Sequence, residues 1–276
     1  MQSWKRFGFV AVAAVFAITG GVAWAKATGS GPPVRPGPMP VSNPEPEDIG
    51  GGITESKSVA IAPCRIVDTR LAGGVVAAGS TRTFAVRGSG AKFAAQGGKA
   101  NGCGVAGAAT SVEATITAVG PTGAGFLRAW PTNQSEPTAT FLNYSGPNIS
   151  STGNLAVCNS LCSGGDLKVQ AASHATHVVI DVVGYSVKPL AARIASDGSI
   201  VLASRVASVT HDNVGNYHVT FDRNIEKCVP TATVWNTGRV TALIIGAVGA
   251  RLDLYIEDTA SPYPGIDAGF SVVEDC

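Results

Sequence analysis

Two short stretches of the sequence concentrate the side chains that could do chemistry. Ala62–Arg70 combines a proline, a cysteine, two arginines and an aspartate around the β-branched aliphatic residues Ile66 and Val67. His177–Tyr185 holds one aspartate, Asp181, among aliphatic residues. We predict that these stretches are the first and last strands of one extracellular β domain.

Asp181 is the acid with the most apolar surroundings, and two roles fit it. It could be a general acid or base with a perturbed pKa. It could instead form a structural ion pair with Arg65 or Arg70, whose planar guanidinium groups bind carboxylates through two parallel hydrogen bonds. We expect the ion pair, because a carboxylate in so apolar a strand is rarely left unpaired. Asp68 is expected to share this network.

Other groups give weaker signals of chemistry. His174 and His177 have a spacing that suits a metal site on a helix, but in a strand they point to opposite faces. Acids near the end of the chain could hold calcium, although their spacing matches no calcium loop; they are Asp253, Glu257, Asp258 and Asp267. The sequence has no nucleophile elbow, zinc-protease motif or phosphate loop. We therefore expect no metal and no cofactor.

Three aromatic residues form a candidate ligand face. Phe126, Trp130 and Tyr144 could line a shallow surface on which sugar rings stack. The alternative is that these rings pack in the core, which is the more common role of aromatic side chains.

The N-terminus has the features of an export signal. Lys5 and Arg6 precede an apolar run, and Ala23-Trp24-Ala25 is a cleavage motif, so residues 1–25 are predicted to be a signal peptide. The alternative is that the run is retained as an anchor. Cleavage would change the formal charge from +1 to −1, because it removes two basic residues and no acid. Such a chain has no electrostatic footprint for nucleic acid, and we expect no membrane span after cleavage.

Six cysteines follow the signal, which indicates three disulfides in an exported chain. Cys228 and Cys276 are the only two in the C-terminal part and pair if that part folds alone. Cys158 and Cys162 suit a local loop bridge; a metal site is the alternative, but no nearby ligands complete it. Cys64 and Cys103 then remain to form the third bridge.

Proline and glycine residues, together with alternating apolar and polar residues, indicate the domain organisation. Residues 26–57 are rich in proline and glycine and are predicted to be an extended linker. An all-β fold is predicted for the rest, as two antiparallel sandwich or barrel domains at 58–187 and 190–276 that fold independently. The first should contain strands at Val59–Thr69, Arg82–Val86, Thr110–Val119, Gly125–Pro131, Thr138–Asn143, Asn154–Val157, Leu167–Ala171 and His177–Tyr185. The second should contain strands at Ser199–Val209, Asn216–Phe221, Thr231–Asn236, Val240–Val248, Arg251–Ile256 and Gly269–Glu274.

Two details of these strands are specific enough to be tested. Gly120-Pro121-Thr122-Gly123 is a turn signal, and we expect Gly125–Pro131 to return from Thr110–Val119 as a hairpin. No amphipathic helix is expected anywhere after the signal.

Residues 58–187 resemble a known module of exported bacterial proteins. The module begins with Pro-Cys-Arg-x-x-Asp-Thr-Arg, present here at 63–70, and ends with Asp-x-x-Gly-Tyr, present at 181–185. Three further segments match in order: Cys103-Gly104-Val105, Gly125-Phe126-Leu127 with Trp130-Pro131, and Leu142-Asn143-Tyr144. The resemblance implies an exported β module with no agreed activity. The chain departs from the pattern at Cys158–Cys162, where the module has an apolar strand and a plain turn.

The C-terminal part resembles β domains that end exported and phage-tail-like proteins. The matching residues are Gly215–Phe221, Cys228, Phe270–Val273 and Cys276. This resemblance implies an adhesive or capping tip.

These observations lead to one functional hypothesis with two alternatives. We expect a secreted or surface-associated, non-catalytic protein that acts in surface structure, adhesion, or binding of an envelope glycan or protein. The alternatives are a carboxylate-based extracellular hydrolase that uses Asp181 and Asp68, and a subunit of an extracellular assembly, which would make the chain a homo-oligomer.

Overall fold

The computed structural model describes residues 55–158, 162, 164–235, 238–260 and 262–276. The predicted signal peptide and residues 26–54 of the predicted linker lie outside this part. The described chain is nearly all β-strand, as predicted, and its strands form four antiparallel sheets of four strands each.

The first two sheets enclose one core and form the first sandwich. Their strand orders are β1-β8-β3-β6 and β2-β7-β4-β5. The strands are β1 (Lys57–Asp68), β2 (Thr81–Phe84), β3 (Ala109–Val119), β4 (Gly125–Pro131), β5 (Leu142–Tyr144), β6 (Asn148–Ala156), β7 (Leu167–Ala172) and β8 (His177–Val187). Alternation explains how the core forms: in β3, Val112, Ala114 and Ile116 face inward and are fully buried. Strand β1 pairs directly with β8, which confirms that the two chemistry-bearing stretches are neighbours.

The other two sheets enclose a separate core and form the second sandwich. Their strand orders are β10-β9-β16-β13 and β11-β12-β15-β14. The strands are β9 (Leu190–Ile194), β10 (Ile200–Ser204), β11 (Val206–Asn213), β12 (Asn216–Phe221), β13 (Val229–Val234), β14 (Val240–Val248), β15 (Arg251–Asp258) and β16 (Phe270–Asp275). Tyr217, Val219 and Phe221 from β12 meet Leu252 and Leu254 from β15 in this core.

The predicted hairpin between the third and fourth strands is wrong. Strand β3 pairs with β6 and β8, whereas β4 pairs with β5 and β7 in the facing sheet. Alternation identifies a strand but does not reveal its partner. Gly125 leaves room for both neighbours of β4, because a Cβ there would lie 2.5 Å from the Ala172 carbonyl oxygen of β7 and 2.7 Å from the Tyr144 hydroxyl oxygen of β5.

Three smaller differences from the sequence prediction have local causes. Strand β9 was not expected, because it is short and its inward residues include the small Ala192. The predicted strand at Ser199–Val209 is divided into β10 and β11 at Arg205, which has a φ of 59°. A five-residue helix, α1 (Ala91–Ala95), packs Phe93 into the first core and is too short to show helical periodicity.

The two sandwiches meet at the ends of β1 and β16. The Lys57 ammonium forms an ion pair with Asp275 and also donates a hydrogen bond of 3.0 Å to the Cys276 carbonyl. Among the described residues, no helix combines the length and the apolar character needed to cross a membrane.

Candidate functional site

The predicted acid–arginine network is present on β1 and β8. Arg65 and Asp181 face each other in the strand register, and the guanidinium binds the carboxylate through Nε–Oδ1 (2.9 Å) and Nη2–Oδ2 (3.0 Å). Arg70 binds Asp68 in the same two-bond manner, through Nε–Oδ1 (2.8 Å) and Nη2–Oδ2 (2.6 Å). Arg65 links the two pairs, because its Nη1 donates to Asp68 Oδ2 at 3.2 Å. The network therefore joins the first and last strands of the sandwich.

The electrostatics of the network favour the charged forms of Asp68 and Arg65. The hydrogen bond from the Arg70 guanidinium outweighs the effect of burial and keeps the pKa of Asp68 below its ordinary value. The hydrogen bond to Asp181 raises the pKa of Arg65. Asp68 is therefore held in its charged form, and both oxygens of Asp181 already accept hydrogen bonds from Arg65.

Burial in this network does not follow the apolar neighbourhood of each acid in the sequence. The Asp181 side chain is 35% exposed, because it alternates outward while Ile180 and Val182 enter the core. Asp68 is the buried member, with a side chain only 1% exposed. An apolar neighbourhood in the sequence marks a strand, and the face of each residue decides its burial.

The two candidate metal-binding histidines have separate structural partners. His177 Nδ1 lies 3.1 Å from Thr69 Oγ1, and the same hydroxyl oxygen accepts a hydrogen bond of 2.9 Å from the Val178 amide. The His174 ring lies 2.7 Å from the Ala124 carbonyl, through Nδ1. In the part of the chain that the structure describes, no group of three His, Cys, Asp or Glu residues is placed to hold a metal ion.

The proposed aromatic ligand face is not assembled. Phe126 and Trp130 lie on one face of β4, whereas Tyr144 pairs with Gly125 and therefore lies on the opposite face. Tyr144 is buried in the core, and its hydroxyl donates a hydrogen bond of 2.7 Å to the His174 carbonyl. The strand register explains why the three rings do not meet. Residues on paired strands share a face only when they lie opposite each other or an even number of positions apart.

The three disulfides join the pairs that the sequence predicts: Cys64–Cys103, Cys158–Cys162 and Cys228–Cys276. The first links β1 to the loop before β3, and the third links the loop before β13 to the residue after β16. Each disulfide therefore lies within one sandwich.

Sequence reasoning missed a second ion pair, between Arg87 and Asp166. Both side chains are largely buried, and Asp166 Oδ2 also accepts hydrogen bonds from the amides of Val86 (2.7 Å) and Arg87 (3.0 Å). The guanidinium further donates to the carbonyls of Gly107 (2.7 Å) and Cys158. Through Arg87 this pair also contacts both cysteines of the second disulfide, Cys158 and Cys162. The two residues are far apart in sequence, and no local pattern relates them.

The second sandwich carries a histidine between two acids on its outer surface. His218 Nδ1 lies 2.6 Å from Asp253 Oδ1, and its Nε2 lies 3.0 Å from Asp212 Oδ2. Burial alone would raise the pKa of Asp253, but hydrogen bonds from His218 and Arg251 leave it below its ordinary value. The residues come from β11, β12 and β15, which the sheet aligns. Asp253 is thus engaged by side chains of the protein itself.

A similar arrangement lies at one end of this sandwich. His211 stacks on Tyr217, with ring centroids 4.4 Å apart, and its Nε2 lies 2.9 Å from Asp267 Oδ1. The Tyr217 hydroxyl donates a hydrogen bond of 2.6 Å to the Ser196 carbonyl. Burial, together with the Asp267 charge, raises the pKa of Tyr217 to about 12, so this hydroxyl stays protonated.

Glu274 is the most unusual titratable group of the described chain. It lines a cavity of about 330 Å³ where the two sandwiches meet. Its side chain is buried, and neither carboxylate oxygen has a hydrogen-bond partner among the described residues. Burial raises its pKa to about 7. The cavity walls include Val59, Val187, Pro189, Leu190 and Val273, with basic residues Lys57, Lys188, Arg205 and Arg223.

Comparison with known proteins adds no assignment. The sequence matches no model of a known protein family and has no significant match among the curated proteins.

Proposed function

We propose that this chain is an exported, non-catalytic protein that acts in surface structure, adhesion or binding of an envelope glycan or protein. One observation carries the proposal: arginines already occupy the carboxylates of Asp68 and Asp181, the acids that a hydrolase would use.

The geometry of this network argues for a structural role. A general acid must give up a proton, and a general base must accept one from substrate within hydrogen-bond reach. Asp181 uses both oxygens to bind Arg65, and Asp68 is buried beneath two guanidinium groups. The hydrolase alternative would require at least one of these ion pairs to open when substrate binds.

The covalent structure supports the exported location. All six cysteines are paired, and disulfides of this kind persist in oxidising compartments. The predicted signal peptide and the resemblance of residues 58–187 to a module of exported bacterial proteins agree with this location. The predicted linker would then hold the two sandwiches at a distance from the surface.

Cosedimentation tests the proposal directly. The exported chain, with its disulfides formed, is incubated with envelope fractions and with purified envelope polysaccharides, and the bound fraction is measured in the pellet. We expect saturable binding to at least one fraction, and loss of binding when the disulfides of the same preparation are reduced. Absence of binding to every fraction would contradict a role in adhesion or envelope binding.

A further inference from the structure

The Cys158–Cys162 disulfide differs from the other two in the size of the loop that it closes. Its cysteines are four positions apart in the sequence, whereas those of the other two disulfides are 39 and 48 positions apart. Cys158 is fully buried, and Cys162 is exposed. The bridge therefore joins an accessible cysteine to one that solvent does not reach.

A guanidinium group lies against the accessible cysteine. Arg87 Nη2 donates a hydrogen bond of 3.7 Å to Cys162 Sγ, and the same nitrogen donates to the Cys158 carbonyl. Asp166 fixes the guanidinium in this position, because its Oδ1 accepts hydrogen bonds from Arg87 Nε (3.2 Å) and Nη2. A thiolate at Cys162 would accept a hydrogen bond from a positively charged donor, which favours the thiolate over the thiol. Because Asp166 shares this donor, the effect is that of an ion pair and not of an isolated cation.

The sulfur atoms of the first disulfide have the opposite surroundings. Cys64 Sγ lies 3.9 Å from the Gly102 carbonyl oxygen, and Cys103 Sγ lies 3.7 Å from the Arg65 carbonyl oxygen. Carbonyl oxygens carry partial negative charge, so they disfavour a thiolate at either sulfur. Thiol–disulfide exchange is faster when the departing sulfur is stabilised as a thiolate. The surroundings therefore favour exchange at Cys158–Cys162 over exchange at the first disulfide.

The backbone around Cys158 has hydrogen bonds that do not depend on the bridge. The Cys158 amide donates a hydrogen bond of 2.9 Å to the Asp166 carbonyl, and the Val157 amide donates one of 3.0 Å to the Thr110 carbonyl. The strands before and after the loop are also paired, β6 with β3, and β7 with β2 and β4. A short loop constrains the unfolded chain less than a long one. We therefore expect the first sandwich to stay folded when this disulfide opens.

We propose that Cys158–Cys162 is a thiol–disulfide exchange site, which accepts electrons from a dithiol and, once reduced, presents Cys162 as the reactive thiolate. One thiolate of the dithiol attacks Cys162 Sγ, because Cys162 is the accessible cysteine. The bond to Cys158 breaks, and Cys158 Sγ leaves with the electron pair and takes up a proton. The second thiolate of the dithiol then attacks the first sulfur of the dithiol and releases Cys162 as a thiolate beside Arg87.

The reaction balances without a further reactant. The dithiol loses two electrons and two protons and becomes a disulfide. Both electrons pass to the cysteine pair, one proton passes to Cys158, and the other passes to solvent. The exchange takes place once per chain, so it is a modification of the protein and does not rest on the proposed function.

Graded reduction of the unchanged chain tests which disulfide opens first. The exported chain, with its disulfides formed, is equilibrated with increasing dithiothreitol, and the free thiols are trapped with iodoacetamide and located by mass spectrometry. We expect Cys158 and Cys162 to be labelled at a dithiothreitol concentration about 10-fold or more below that needed for any other cysteine, with an unchanged circular dichroism spectrum. Cys228–Cys276 is the internal control, because Cys276 is also exposed. Opening of another disulfide first or at the same concentration, or opening only with loss of the fold, would overturn the proposal.

Two matched variants locate the reactive sulfur. Cys158→Ser leaves the Cys162 thiol, Cys162→Ser leaves the Cys158 thiol, and circular dichroism establishes that both variants are folded. The dependence of the iodoacetamide reaction rate on pH gives the pH at which each thiol ionises. We expect the Cys162 thiol to be half-ionised about one pH unit or more below the ordinary value of about 8.5, because of Arg87, and the buried Cys158 thiol to ionise above that value. Ionisation of Cys162 at the ordinary value or above it, or of Cys158 at a lower pH than Cys162, would contradict the assignment.

Discussion

Glu274 should make the stability of the second sandwich depend on pH around neutrality. Glu274 is only 4% exposed, and its carboxyl group has no hydrogen-bond partner among the described residues, so burial favours the protonated form. The folded pKa is about 7, whereas the ordinary value is 4.5. Below pH 4.5 the folded and unfolded chains both hold the proton, and the full stability is present. Between pH 4.5 and 7 the unfolded chain releases the proton first, so stability falls as pH rises.

The size of the effect follows from the two pKa values. Each pH unit between them corresponds to 1.36 kcal/mol, so the total loss is on the order of 3 kcal/mol. Above pH 7 the folded chain also loses the proton, and the dependence levels off. The basic residues around the cavity, Lys57, Lys188, Arg205 and Arg223, would reduce the loss if any of them moved towards the new charge.

Denaturant unfolding at intervals from pH 4.5 to 8, with disulfides intact, measures this dependence. Glu274→Gln cannot ionise, so its curve should lack the fall that the unchanged chain shows. Glu113→Gln, which alters an exposed glutamate of β3, is the control and should keep the fall. The comparison uses the slope with pH, so a uniform loss of stability in the Gln variant does not affect it. Parallel curves for the unchanged chain and Glu274→Gln would refute the reasoning.

Three further predictions concern the remaining structure. Asp68→Asn should lower the free energy of unfolding by about 3 kcal/mol, because it weakens charged hydrogen bonds to a buried group. Asp181→Asn should lower it by about 1 kcal/mol or less, because this site is partly exposed. Equal losses of the two variants in denaturant unfolding would contradict the assigned burial. Peptide mapping without reduction should recover the three disulfides within the sandwiches, and any bridge between the sandwiches would be inconsistent with the fold. Residues 190–276 should form a soluble, cooperatively melting domain alone; an unfolded fragment, together with one melting transition for 58–276, would mean that the domain boundary is wrong.

The clearest case of an accurately predicted strand is one with strict alternation. Strand β12 begins and ends at the residues that the sequence indicates, because Tyr217, Val219 and Phe221 alternate with polar neighbours. Strand β14 also has the predicted bounds, although its apolar residues do not alternate. The disulfide pairs followed from counting cysteines on each side of the expected boundary. The pairing of β1 with β8 followed from residues whose chemistry requires a partner.

Features that depend on distant neighbours could not be predicted in this way. The partners of β4 are determined by the whole sandwich, and only Gly125 records the close approach of Tyr144. The sequence indicates that Asp181 needs an arginine, but only the strand register selects Arg65. Glu274 occupies an ordinary alternating position in β16, and its cavity is completed by residues of both sandwiches.

The central claim, that the carboxylates near β1 and β8 serve structure and not catalysis, is tested most directly by product release. The exported chain and Asp181→Asn are incubated in parallel with envelope polysaccharides and peptides, and soluble fragments are quantified by mass spectrometry. We expect no fragments above the level of a protein-free control from either chain. Fragments that the unchanged chain releases and Asp181→Asn does not, at equal folded concentration, would contradict the account and assign Asp181 to catalysis.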